Sequence, residues 1–337
     1  MKVQITTPSR IHATLIDLNG SLGRIDGSIG ITLANPNWKI LFETLTKNQL
    51  VINVPRQVEG NYIDLLVNDI LKQFKLDPLK APIKITVQET IPRHVGLGSK
   101  TQLALALADG ISRLLKLEGT PLSKEILASV VNRGGTSGIG VTSYFVGGLI
   151  VDGGHEFGTG KEKNAFLPSS ASSASPAPVI FREEMPDDWR VIVAIPKLQK
   201  GAHDAEEVNV FKNFCPVPLI EVEKLSHIIL MKLLPAIKKR KFHEICESIN
   251  FFQDIGFKKI EVDLRGKSFR DLLKSWQNSG APCAGMSSFG PAIYSLAENE
   301  DQALKLKNAI DDIMKDTAGI SFISKMQNSG AIIKYLS

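Results

Sequence analysis

Residues 92–101, Pro-Arg-His-Val-Gly-Leu-Gly-Ser-Lys-Thr, join a strand-like run at 83–87 to a long Ala/Leu-rich helical pattern at 102–117, and this junction constrains the fold more than any other segment. Gly96 and Gly98 let a backbone approach an anion closely, while Ser99, Thr101 and the free amides of a first helical turn can donate hydrogen bonds to it. The loop therefore reads as a phosphate cradle. Gly96, Leu97, Gly98, Ser99, Lys100 and Thr101 form it, with His94 at its entrance. It is not a Walker loop, since G-x-x-x-x-G-K-[ST] is absent, nor a Rossmann fingerprint, since G-x-G-x-x-G is not met.

A chain of 337 residues with 43% hydrophobic content holds two ordinary domains with sizeable cores. The net charge of +5 is modest. The one basic run, Lys238-Lys239-Arg240-Lys241, lacks interleaved aromatics and reads as a solvated helix end, so no nucleic-acid partner is expected. Cys215, Cys246 and Cys283 have no C-x-x-C spacing, which supports neither a disulfide framework nor a structural zinc site and fits a reducing cytoplasm. No segment approaches the ~20 apolar residues that span a bilayer, and no membrane partner is expected.

The strongest composition break is 167–178, small, polar and Pro-punctuated, which is expected to be a mobile loop near a domain boundary. Before it, strand-like runs at 2–5, 12–16, 49–54 and 83–87 alternate with helical patterns at 62–74, 102–117 and 123–132. After it come a strand at 189–195, helices at 222–238, 242–253 and 269–278, a strand at 292–296, a helix at 300–314, and closing strands at 319–325 and 331–336. The expectation is an α+β chain with domains at 1–180 and 186–337. Two more glycine clusters, at 133–140 and 280–291, complete a set of three spread over both halves.

That triplet resembles the GHMP superfamily of small-molecule kinases. Pro8-Ser9-Arg10 stands where the family has its first motif, residues 92–99 resemble its second, Pro-x-x-x-Gly-Leu-Gly-Ser, and 285–290 its third. The resemblance implies an N-terminal domain like that of ribosomal protein S5, a ferredoxin-like C-terminal α/β sandwich, and a site between them. The kinases commonly place an Asp after Ser-Gly-[Ile/Leu/Val], where this chain reads Ser137-Gly138-Ile139-Gly140, and 126–151 contains no acidic residue. Without a carboxylate to position metal and hydroxyl, phosphoryl transfer loses its main electrostatic parts.

In detail the chain is similar to a non-kinase branch, the β-ribofuranosylaminobenzene 5′-phosphate synthase family of methanopterin biosynthesis. The resemblance rests on residues 9–12, 15–20, 23–30, 94–102, 134–140, 151–155 and 285–291, with Lys100 standing where a small residue is usual. It implies a decarboxylating transferase that joins 4-aminobenzoate or 4-hydroxybenzoate to phosphoribosyl pyrophosphate with Mg²⁺, releasing carbon dioxide and pyrophosphate. Asp17 and Asp26, flanking a Gly-rich turn at 20–30 that carries Arg24, are then the expected metal or oxocarbenium-facing carboxylates. Both also suit simple turn capping. Arg24, Lys100 and the cradle would hold the diphosphate. Arg10, His12 and His94 would bind the benzoate carboxylate or relay a proton, and Ser287 and Ser288 would line the cleft from the second domain. His12 equally suits a satisfied core position. His155, beside Gly153-Gly154, and His203, with Asp204, Glu206 and Glu207, are weaker candidates, and a homodimer is expected. An ATP-dependent GHMP kinase and a non-catalytic nucleotide or sugar-phosphate sensor remain as alternatives.

Overall fold

The computed structural model describes residues 1–55, 60–169, 171–198 and 205–337; His203 and Asp204 lie outside them. Three mixed or antiparallel sheets carry the fold. The first has the order Ile332–Leu336, Lys2–Thr6, Lys39–Thr44, Ile83–Glu89, Leu50–Asn53. The second runs Ser9–Asp17, Arg24–Leu33, Leu149–Asp152, Val179–Glu183, and the third, in the C-terminal half, runs Gly285–Met286, Ile293–Ala297, Arg190–Ile195, Ile320–Lys325.

The helix Ser99–Leu115 packs on the strands Lys2–Thr6 and Lys39–Thr44 and against the helix Ile139–Phe145. It is buried from Gln102 through Ser112, which is why its sequence is apolar nearly all round. A side chain at Gly110 would overlap the ring of Phe42, so glycine there sets how closely helix and sheet approach. In the C-terminal half, Asn299 caps the helix Glu300–Met314 by accepting from the Gln302 amide at 2.9 Å, while Gln302 Oε1 accepts from the Glu298 amide at 2.7 Å. One orphan amide of the helix start, and the amide of the residue before the cap, are thus satisfied locally.

Two expectations change. The Gly-rich stretch read as a turn at 20–30 is a turn only to Gly23; Arg24–Leu33 is a ten-residue strand buried from Ile25 onward. Gly30 belongs to packing, since a Cβ there would run into Ile139 and the Ile11 carbonyl. The closing strand Ile332–Leu336 leaves the C-terminal half and pairs antiparallel with Lys2–Thr6, so the second unit does not run unbroken from 186 to 337. Described residues of the segment 167–178 make specific contacts with the body of the protein. The Leu167 carbonyl accepts from Thr136 Oγ1 at 2.6 Å, the Ser175 carbonyl meets His155 Nε2 at 2.9 Å, and Pro176 and Ser172 close over Gly134 and Gly135. Leu167 finds its partner in the 134–136 turn and Ser175 finds its partner at His155, pairings that composition alone does not reveal.

Candidate active site

The seam between the halves is stitched at the 92–101 loop. Ala292 donates its amide to the Val95 carbonyl at 3.1 Å, and Ser288 donates its amide to the His12 carbonyl at 2.9 Å. Ser287 Oγ accepts the His12 amide at 3.0 Å and donates to the Gly96 carbonyl at 2.6 Å. The loop itself turns through left-handed conformations at His94 (φ +60), Gly96 (φ +91) and Gly98 (φ +78) before Ser99 opens the helix. The space beside the two glycines is taken by protein: Ser287 carbonyl at Gly96, and the Arg10 side chain at Gly98. Their lack of a Cβ serves this packing and the positive φ, more than direct approach to an anion.

Two cavities open side by side here. The first, about 160 Å³, is lined by the loop, including His94, Gly96, Leu97, Gly98, Ser99, Lys100 and Thr101, with Arg133 opposite. The second, about 140 Å³, is lined by His12, Leu15, Ser137, Gly140, Phe211 and Glu261. Arg10, Thr101, Ser169, Glu207, Ser288 and Phe289 line both and mark the passage between them. Ser99 turns its hydroxyl to the Ile91 carbonyl at 2.8 Å, closing the loop instead of reaching toward a ligand. Leu97 is a core residue whose carbonyl accepts the Arg10 amide.

Arg10 donates through Nη1 to the Gly96 carbonyl at 2.5 Å, while its Nε is buried without a partner among the described residues. Burial lowers its pKa to about 10 against the pull of Glu207 and Glu261, which leaves it a cation at neutral pH. His12 is 5% exposed, and its Nδ1 has no hydrogen-bond partner among the described residues. Burial first, then Arg10 and Lys258, push its pKa well below the usual value, so the imidazole is neutral. Lys258 and Glu261, on the helix Gly256–Leu264, form a buried ion pair, and Lys258 Nζ also donates to the Ser288 carbonyl at 3.0 Å. Burial lowers the pKa of Lys258 and raises that of Glu261.

The other expected catalytic side chains lie elsewhere. Asp17 Oδ1 accepts the amides of Asn19 at 2.7 Å and Gly20 at 3.0 Å, an Asx turn. Arg24 is exposed and donates to the carbonyls of Gly153 and Gly154 at 3.1 and 2.8 Å. Asp26 is fully buried, with Oδ2 shared by Lys163 Nζ at 2.8 Å and His155 Nδ1 at 2.7 Å. Neither aspartate lines the two cavities. Asp17 is taken up by backbone amides, and Asp26, whose Oδ1 is buried without a partner among the described residues, lies beside Lys163 and His155, so neither is placed to hold a metal at the cavities; no group of three or more His, Cys, Asp or Glu side chains among the described residues is arranged to hold one. Ser287 ties the loop to the second domain and does not line either cavity, whereas Ser288 lines both.

Residue 140 is glycine on the wall of the second cavity, and its carbonyl accepts from Gln102 Nε2 at 2.6 Å. The acidic groups facing that cavity are Glu207 and Glu261 instead. Sequence reasoning missed Lys258 and Glu261. The available signal was a charged pair three residues apart that falls in line with apolar Phe257 and Val262 on one helix face.

A two-domain α+β chain with its cleft at a Gly-rich loop and helix start is the GHMP architecture. Residues 61–148 match the family model for the GHMP kinases N terminal domain, and residues 233–316 match that for the GHMP kinases C terminal domain. The solved structure of L. major mevalonate kinase superposes with a TM-score of 0.70 over 97% of this chain and 96% of that one, at 16% identity, a likeness of fold alone. Two archaeal proteins named β-ribofuranosylphenol 5′-phosphate synthase are much nearer in sequence. The one from Methanothermobacter thermautotrophicus is 41% identical over 98% of each chain, and the one from Methanocaldococcus jannaschii 39% identical over 97% of this chain and 98% of its own. The chain belongs to the β-ribofuranosylphenol 5′-phosphate synthase family of the GHMP superfamily, and it is an enzyme. No helix among the described residues is long and apolar enough to cross a membrane.

Proposed function

We propose that the enzyme forms a carbon–carbon bond between 4-hydroxybenzoate and phosphoribosyl pyrophosphate, releasing carbon dioxide and pyrophosphate, in tetrahydromethanopterin biosynthesis. The observation that carries this reading is 41% identity over 98% of both chains with a protein named for a ribofuranosylphenol phosphate product. A phenol product favours the 4-hydroxy over the 4-amino acceptor. The kinase alternative is disfavoured by the glycine at position 140, and the sensor alternative by near-full-length kinship to synthases.

In this reading the first cavity takes the diphosphate of the donor. The amides of Ser99, Lys100 and Thr101 at the helix start and the Arg10 guanidinium supply the positive potential that pyrophosphate departure needs. The second cavity takes the aromatic ring, flanked by Leu15, Phe211 and Phe289. Thr101 and Ser288, on the passage, hold the ribose C1 against the ring carbon, which converts a two-substrate encounter into a positioned one. The donor brings Mg²⁺ as its own complex, since Asp17 and Asp26 line neither cavity. The homodimer expected from sequence belongs to this proposal, and sedimentation of the purified chain tests it.

Calorimetric titration tests the assignment of the cleft. Phosphoribosyl pyrophosphate is expected to bind, and Arg10→Met to weaken that binding at least tenfold, as loss of a charge-assisted bond of about 1.5–3 kcal/mol implies. Binding of ATP in its place, with phosphorylation of an added alcohol, would contradict the assignment.

A further inference from the structure

Glu261 carries a chemical task that no part of the sequence announced. It is 2% exposed, lies on the wall of the second cavity, and is absent from the passage shared with the first. The donor enters by the loop side, so the end of the ring remote from the reacting carbon falls toward the residues lining only the second cavity. In 4-hydroxybenzoate that remote end is the hydroxyl. Resting on the proposed reaction, we infer that Glu261 is the catalytic base that takes the proton of the acceptor's 4-hydroxyl.

The step balances as follows. The Glu261 carboxylate accepts the phenolic proton, and the freed oxygen pair pushes electron density through the ring to the carbon bearing the carboxylate. That carbon bonds to ribose C1 as the C1–oxygen bond breaks and its electron pair leaves with pyrophosphate. The ring–carboxylate bond then breaks, its pair restores the aromatic ring as a phenoxide, carbon dioxide departs, and the phenoxide recovers the proton from Glu261. No oxidant or further reactant is required.

The surroundings favour Glu261 over its neighbours for this role. Its neutral form is favoured by burial, so it holds a proton more readily than an ordinary carboxylate. His12, on the same wall, is a poor proton acceptor, because its cation would be buried beside Arg10 and Lys258. Arg10 and Glu207 are the other charged groups lining this cavity, and Arg10 stabilises the phenoxide-like ring, while Lys258, paired with Glu261, adds positive charge nearby. Lys258 also fixes the carboxylate by pairing with it while donating to the Ser288 carbonyl.

The test compares wild type and Glu261→Gln with two carboxyl-labelled acceptors, 4-hydroxybenzoate and 3,5-difluoro-4-hydroxybenzoate, whose more acidic phenol is already ionised at assay pH. Carbon dioxide release by Glu261→Gln is expected to fall about 10²-fold with the first acceptor, the usual size of a lost general base, and at least tenfold less than that with the second. Unchanged release, or an equal loss with both acceptors, overturns the role of Glu261 while leaving the reaction intact. A wild type that releases nothing from either acceptor overturns the reaction and the role together. Should the variant not fold, the wild type decides: turnover in heavy water slowed with 4-hydroxybenzoate and not with the difluoro acid supports the proton transfer, and no slowing with either refutes it.

Discussion

Ser287 binds Gly96 twice over: its hydroxyl donates to the Gly96 carbonyl at 2.6 Å, and its own carbonyl fills the space a Cβ at Gly96 would need. The 92–101 loop is thus shaped from the second domain. Gly96→Ala combines a φ of +91 with that overlap, and should cost at least about 2 kcal/mol in urea unfolding. Ser287→Ala removes only the hydroxyl bridge to Gly96 and His12, and should cost about 1–2 kcal/mol. Equal stability of Gly96→Ala and wild type would refute the account of this contact.

Arg24→Ala should leave turnover within twofold of wild type. Its guanidinium is spent on two backbone carbonyls at an exposed edge, so the variant loses a surface tie and no catalytic charge. Steady-state kcat/KM for carbon dioxide release checks this. A loss beyond tenfold would return Arg24 to the site.

Lys163→Met should destabilise by about 3–5 kcal/mol, since it strands the fully buried Asp26 carboxylate beside His155 alone. Adding Asp26→Asn to that variant should recover part of the loss, because the uncompensated charge is then gone. Denaturant melts of the single and double variants measure the coupling directly. Additive losses would show that the pair is not coupled.

Asp152 supplies a pH dependence of defined sign. It accepts from Ser28 Oγ and from the amides of Gly138 and Gly154 at 3.0 and 3.1 Å, yet burial dominates and raises its pKa from 3.8 to about 6. The folded state then holds this proton more tightly than the unfolded chain. Stability from this group is fully present below about pH 4 and is lost as pH rises through about 6, amounting to about 3 kcal/mol. The difference in unfolding free energy between wild type and Asp152→Asn should follow that slope between pH 4 and 7. A flat difference would show the carboxylate ionised throughout.

The elements legible in sequence were those whose burial follows a simple period. The helix at 300–314 and the strand at 83–87 carry their amphipathic pattern in consecutive residues, and their placement needed no tertiary information. The strand Arg24–Leu33 hid behind its glycines because Gly30 exists to admit Ile139, a contact that only the fold creates. Ile332–Leu336 was legible as a strand, but the sheet it joins lies at the other end of the chain. Among the candidate residues, His94, the stretch 96–101 and Arg10 line one cavity, a grouping that their closeness in sequence and the Arg10–Gly96 contact bring about. Asp17, Arg24 and Asp26 carry charge near glycine in sequence, but their carbonyl, amide and lysine partners are distant in sequence or backbone-borne. Glu261 stayed hidden for the opposite reason, since a charge on a buried helix face looks like a surface residue until its neighbours are known.

Carbon dioxide released from carboxyl-labelled 4-hydroxybenzoate, counted against pyrophosphate formed in the same incubation with phosphoribosyl pyrophosphate and Mg²⁺, tests the central claim most directly. The account predicts both products in equal amounts, dependent on the donor and unaffected by ATP. Pyrophosphate without carbon dioxide, or no product from this donor alongside ATP consumption that requires an alcohol, would contradict it.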